Sequence, residues 1–103
     1  MRFIKPINLT DKSFILDVRS PEEYASETIA LPHTYKDLRE LDPLEFIRDN
    51  NLTKDRTIYI LCASGGRASQ AAELFEQKGF DNVTVIIGGI VEAEYEGLKI
   101  IRN

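Results

Sequence analysis

Cysteine occurs once in this sequence, so no internal disulfide can form. A lone free thiol sits most comfortably in a reducing compartment, and a cytoplasmic location is expected. Long apolar runs are missing too. Nothing approaches the roughly 18 consecutive apolar residues that a membrane-spanning helix requires. The opening Met1-Arg2-Phe3-Ile4-Lys5-Pro6 carries no apolar stretch of the kind that marks a signal peptide. Positive charge is not in excess either: the net charge is −4. That balance argues against nucleic acid or an anionic membrane as a partner, because either leaves a basic patch on the protein that binds it. Repeats, linker-like stretches and low-complexity tracts are also absent.

What remains is ordinary globular material, 43% hydrophobic and 29% charged over 103 residues. This suffices for one domain, residues 1–103, with a single core and no disulfide or metal staples. No metal and no cofactor is expected.

Short apolar runs alternate with amphipathic stretches along the chain. Phe14-Ile15-Leu16-Asp17-Val18 reads as a buried strand with almost no polar face. Ser20-Pro21-Glu22-Glu23 opens a helix, with Ser20 as N-cap, Pro21 in the first turn and Glu23 at the capping-box position. Asp42-Pro43-Leu44-Glu45 repeats that signal and starts a helix that should fade near Asn50-Asn51. Thr57–Leu61 is a second strand. Ala68, Ala71, Ala72 and Phe75 then recur at helical spacing up to a stop at Lys78-Gly79. Val83–Ile87 is a third strand, followed by Gly88-Gly89 and a short helix to about Tyr95. Residues 27–41 give no clear pattern. Strands and helices in this alternation imply an α/β fold: a central, mostly parallel sheet of about five strands with helices on both faces.

Ligands of open α/β sheets bind just outside the carboxyl ends of the strands. Cys62 stands at such a point, between a buried strand and a helix, and opens the loop Cys62-Ala63-Ser64-Gly65-Gly66-Arg67. Three effects act together on its sulfur. The free N–H groups of the helix's first turn point toward it. The helix macrodipole puts partial positive charge there. Gly65 and Gly66 allow the backbone to curl into an anion-binding nest. All three favour the thiolate, the nucleophilic form. Arg67 adds a permanent cation whose fork can grip an oxyanion. A free cysteine is often only a small buried hydrophobe. The glycines alone would serve any tight turn, and the arginine alone any solvated first turn. Together they make a poor continuation of a core strand and a good cradle.

With these motifs in view, the sequence resembles the rhodanese-like domain family, a sulfurtransferase module, over nearly its whole length. Phe14–Tyr24 looks like the family's first signature, an apolar strand ending in Asp-Val-Arg and then a short helix with Glu-Tyr. Cys62–Arg67 is similar to its active-site loop, and Val85-Ile86-Ile87-Gly88-Gly89 to its closing strand and double glycine. The resemblance implies ping-pong sulfur transfer. Cys62 would be the catalytic nucleophile that becomes a persulfide, with Ala63, Ser64, Gly65, Gly66, Arg67 and Ala68 binding the substrate. The implied partners are a small-molecule sulfur donor such as thiosulfate and an acceptor thiol or cyanide, with a sulfur-relay protein as a further candidate. No general base is required, which agrees with the lack of any histidine near the loop in sequence.

The pattern departs from the family's in places. Ser26-Glu27-Thr28-Ile29-Ala30-Leu31 keeps only the isoleucine of the segment that commonly follows the first signature. Ala93 stands where tryptophan is usual, and Lys99 where proline is frequent. His33 is out of register and reads as a surface loop residue. Asp17 and Arg19 read as a buried structural pair fixing the strand to the next helix, with Glu23 as the candidate link.

Two other functions compete. Cysteine-dependent phosphatases of this architecture place the arginine one position further on, which makes a wider cradle. Here Arg67 follows Cys62 by five positions, a loop closer to the size of a sulfane sulfur. A non-catalytic binding or regulatory module is the other alternative, but such modules typically lose the cysteine. Arsenate reduction usually needs a second thiol, which the chain lacks, and a redox switch without a resolving cysteine would need trapping by glutathione.

Overall fold

A computed structural model describes residues 1–103. Five strands form the central sheet: β1 (Arg2–Ile4), β2 (Phe14–Asp17), β4 (Thr34–Tyr35), β5 (Ile58–Leu61) and β6 (Val83–Ile86). They lie in the order β1-β6-β5-β2-β4, and every pairing is parallel. Four helices accompany them: α1 (Pro21–Ser26), α2 (Pro43–Asp49), α3 (Gly66–Gln77) and α4 (Gly89–Tyr95). No helix is long and apolar enough to cross a membrane.

Strand alternation explains the two-sided core. Leu16, Ile58, Ile60, Val83 and Val85 point to one face, where they meet Phe46 of α2 and Ala68, Ala71, Ala72 and Phe75 of α3. Ile15, Leu61 and Ile86 point to the other, against Ile90 and Ala93 of α4. Helices on both faces of a parallel sheet were expected, and the apolar spacing of α3 matches its buried stripe. Both expected N-caps form. Ser20 and Glu23 make a reciprocal capping box, and the Asp42 side chain accepts from the Glu45 amide. Lys78 caps the end of α3, and Gly79 follows at φ +86°.

Besides β4, whose two residues lie in the patternless segment 27–41, two pieces went unread in the sequence. β1 has only three residues and is mostly exposed, so no buried pattern marks it. Inside the patternless segment 27–41, β3 (Glu27–Ile29) pairs antiparallel with β7 (Ile100–Arg102), forming a separate two-stranded sheet. Each of the three expected strands is also one residue shorter, lacking Val18, Thr57 or Ile87. Val18 still donates to the Leu61 carbonyl at 2.9 Å, so it continues the ladder as the chain turns toward α1.

Candidate active site

Because β5 is central and parallel, its carboxyl end opens into a loop that must turn before α3 can pack back on the sheet. Cys62 sits at the floor of that loop, with 1% of its surface exposed. Gly65 makes the turn at φ +118°, a left-handed conformation that side chains resist. In doing so it directs its own N–H to Cys62 Sγ at 2.9 Å. The amides of Ala63, Ser64, Gly66, Arg67 and Ala68 donate to no protein acceptor. The loop therefore brings together one amide on the sulfur and a set of free donors.

Gly66 needs no special conformation: it is the first residue of α3, and a Cβ there would meet nothing within 4 Å. The expected two-glycine curl reduces to Gly65, because one left-handed residue suffices to reverse the chain. Ala68 is fully buried against the core, so only its amide faces the loop. Ser64 is exposed and Ala63 half-buried.

The double glycine after β6 holds the loop from behind. Gly89 lies so close that a Cβ there would stand 2.3 Å from the Cys62 carbonyl oxygen and 2.5 Å from that of Ala63. The next amides complete the contact, Ile90 donating to Cys62 O at 2.9 Å and Val91 to Ala63 O at 3.3 Å. Gly89→Ala is expected to cost about 2–3 kcal/mol, from overpacking and from strain at φ +60°. Turnover should fall as the Cys62 loop is displaced. Urea melts and sulfur-transfer rates check this, and wild-type values for both would remove Gly89 from the site's construction.

The Arg67 fork, read in the sequence as a grip for a substrate oxyanion, meets a side chain of the protein itself. Nη1 and Nη2 donate to Glu23 Oε1 and Oε2, at 2.6 and 2.9 Å. The Arg67 hydrogen bond, with help from Ser20, lowers the Glu23 carboxyl pKa to about 2. Arg67 is held charged in turn, first by Glu23 and further by Cys62 and Asp17. The sequence marked Glu23 as a helix cap and as the candidate link to the Asp17–Arg19 pair, not as the partner of Arg67. Its second role went unseen because the partners lie 44 residues apart.

Arg19 is buried, and its Nη2 donates to Asp17 Oδ2 at 2.8 Å and to the Glu27 carbonyl at 2.7 Å. The pair does tie β2 to α1. The tie runs through backbone carbonyls, however, and leaves the Glu23 carboxylate for Arg67. Beside Ala63 a cleft of about 370 Å³ opens, with Glu22, Glu23 and Glu27 among its lining residues and Ile90 and Val91 facing them. His33 is half-buried rather than on the surface. Its Nδ1 faces the Leu31 carbonyl at 2.8 Å, which can only accept, so Nδ1 carries the proton. Nε2 lies 2.9 Å from Tyr24 Oη, and His33 serves as a brace on α1.

Known proteins resemble this chain in sequence and in fold. The sequence profile described as Rhodanese-like domain matches residues 3–95. The chain belongs to the rhodanese-like domain family. A sulfurtransferase of Allochromatium vinosum is 34% identical over 92 residues, which cover 89% of this chain and 81% of that protein. The thiosulfate:glutathione sulfurtransferase of Saccharomyces cerevisiae is 30% identical over 84 residues. That match covers 74% of this chain and 60% of the yeast protein, so the chain spans under two thirds of that relative. The crystal structure of a rhodanese-related protein from Thermoplasma volcanium superposes with a TM-score of 0.75 at 28% identity, covering 98% of each chain. Relatives named for sulfur transfer support that general role for this rhodanese-like domain.

Proposed function

We propose that this rhodanese-like domain is a thiosulfate sulfurtransferase-type enzyme working through a Cys62 persulfide. The observation that carries the reading is the Cys62 sulfur itself, seated under the Gly65 amide at 2.9 Å in a loop whose other amides no protein group claims. Such donors stabilise a thiolate before reaction and the terminal persulfide anion after it.

The chemistry runs in two balanced displacements. The Cys62 thiolate attacks the outer, sulfane sulfur of thiosulfate; a new S–S bond forms, the donor's S–S bond breaks, and sulfite leaves with the bonding pair. An acceptor thiolate, or cyanide, then attacks the outer sulfur of the persulfide, and Cys62 departs as thiolate with its electron pair. The enzyme ends as it began, and no proton has to be removed by a base. The acceptor is a small thiol or the thiol of a sulfur-relay protein.

Intact-mass spectrometry tests the reading. After incubation with thiosulfate and desalting, the chain should gain the mass of one sulfur atom, and a thiol reductant should remove it. A chain that gains nothing from thiosulfate or from an organic persulfide sinks the proposal.

A further inference from the structure

A site that captures a doubly charged donor is expected to offer it a cation, since charge-assisted contacts are the strong ones. Arg67 is the candidate, but its fork is closed from both sides by Glu23. Glu23 is itself anchored, its Oε1 accepting the Ser20 amide at 3.1 Å within the capping box of α1. The guanidinium that lines the cleft, Arg19, and the one on neighbouring Glu27, Arg102, are also engaged. Arg19 lies on Asp17, and Arg102 on Glu27 and Glu94. The cleft wall that remains carries the carboxylates of Glu22, Glu23 and Glu27.

We propose that Glu23 is a specificity-determining residue of the Cys62 site. By occupying the Arg67 fork it withholds that cation from dianionic donors, and so biases the site toward sulfur donors with less negative charge, such as organic persulfides. The inference rests on the Cys62 persulfide reading and names its donor class. With a donor R–S–SH, the Cys62 thiolate attacks the outer sulfur. The new S–S bond forms as the old one breaks, R–S⁻ leaves with the bonding pair, and the proton stays on the transferred sulfur.

The test compares wild type, Glu23→Gln and Glu23→Gln/Arg67→Ala, using thiosulfate as dianion and benzenethiosulfonate as monoanion. Glutamine can keep the capping box but cannot pair with the fork as an anion. In Glu23→Gln the thiosulfate KM is expected to fall about tenfold, the worth of one charge-assisted contact regained. The monoanion should gain less, and kcat should change little. The gain should be flat across the neutral and mildly acidic range, because Glu23 is already ionised throughout it. Removing Arg67 as well should erase it. An unchanged or raised thiosulfate KM in a folded Glu23→Gln variant overturns the proposal and leaves Glu23 as a positioning residue for Arg67. Wild type supplies an arm that needs no variant: sulfate should compete with thiosulfate only feebly, and strong competition overturns the proposal too. Sulfur on Cys62 without the KM change would sink the Glu23 assignment alone, whereas no sulfur from either donor would sink the persulfide reading beneath it.

Discussion

Cys62→Ser is expected to cut sulfur transfer from thiosulfate to cyanide by about a thousandfold or more, to the uncatalysed background. Cys62 is the only thiol in the chain, so no neighbour can take up the sulfur in its place. A serine hydroxyl is ionised far less readily than a thiol, and an oxygen–sulfur adduct would not continue the exchange. The fold should survive. Serine is slightly smaller than cysteine, and its hydroxyl can accept the Gly65 amide that now reaches Sγ. Stability should therefore shift by no more than about 1 kcal/mol. Steady-state assays read the first effect and urea melts the second. A serine variant that retains more than a small fraction of the wild-type rate would show that the sulfur does not pass through this residue.

Arg19→Leu is expected to produce the largest loss of stability, about 3–5 kcal/mol, because it leaves a buried carboxylate without its counter-charge. Asp17 is fully buried, and Arg19 Nε and Nη2 supply most of its hydrogen bonds. After the substitution only the Arg19 backbone amide, at 3.0 Å, remains. The Glu27 carbonyl would lose its guanidinium donor as well. Against a typical total of roughly 5–15 kcal/mol, such a loss leaves the domain marginal. The double variant Asp17→Asn/Arg19→Leu should recover part of it, since the stranded group is then neutral. Equilibrium urea unfolding of the two variants measures both terms. A cost below about 1 kcal/mol for Arg19→Leu would mean that Asp17 reaches solvent or another donor, contrary to its burial. The effect should also reach the site, because the same guanidinium holds the end of α1, and α1 carries Glu23.

Much of this was legible in the chain. Helix starts are local: Ser20 with Glu23, and Asp42 with the Glu45 amide, each satisfy backbone donors within one turn, so neighbouring residues suffice to reveal them. The buried strands announced themselves because both of their faces are covered, which makes them continuous apolar runs. Short exposed elements gave no such signal. β1 depends on the edge that β6 presents to it, and β3 on a partner strand some seventy residues further along the chain.

The candidate site divides the same way. Sequence by itself determined a lone thiol placed between a buried strand and a helix, with glycine where the chain must turn and arginine five positions on. Those are facts of order and spacing, and they specify a nucleophile in a loop of limited size. Only the tertiary structure decided what the arginine holds, which glycine bends, and what presses on the loop from behind. Glu23 reaches Arg67 because Asp17 and Arg19 fasten α1 to the end of β2, which lies next to β5 and the loop that leads into α3. Gly89 reaches the Cys62 carbonyl because β6 lies next to β5 in the sheet. Contacts between residues far apart in the chain leave no periodicity in it, since they are selected by the packing of elements rather than by the turn of any one.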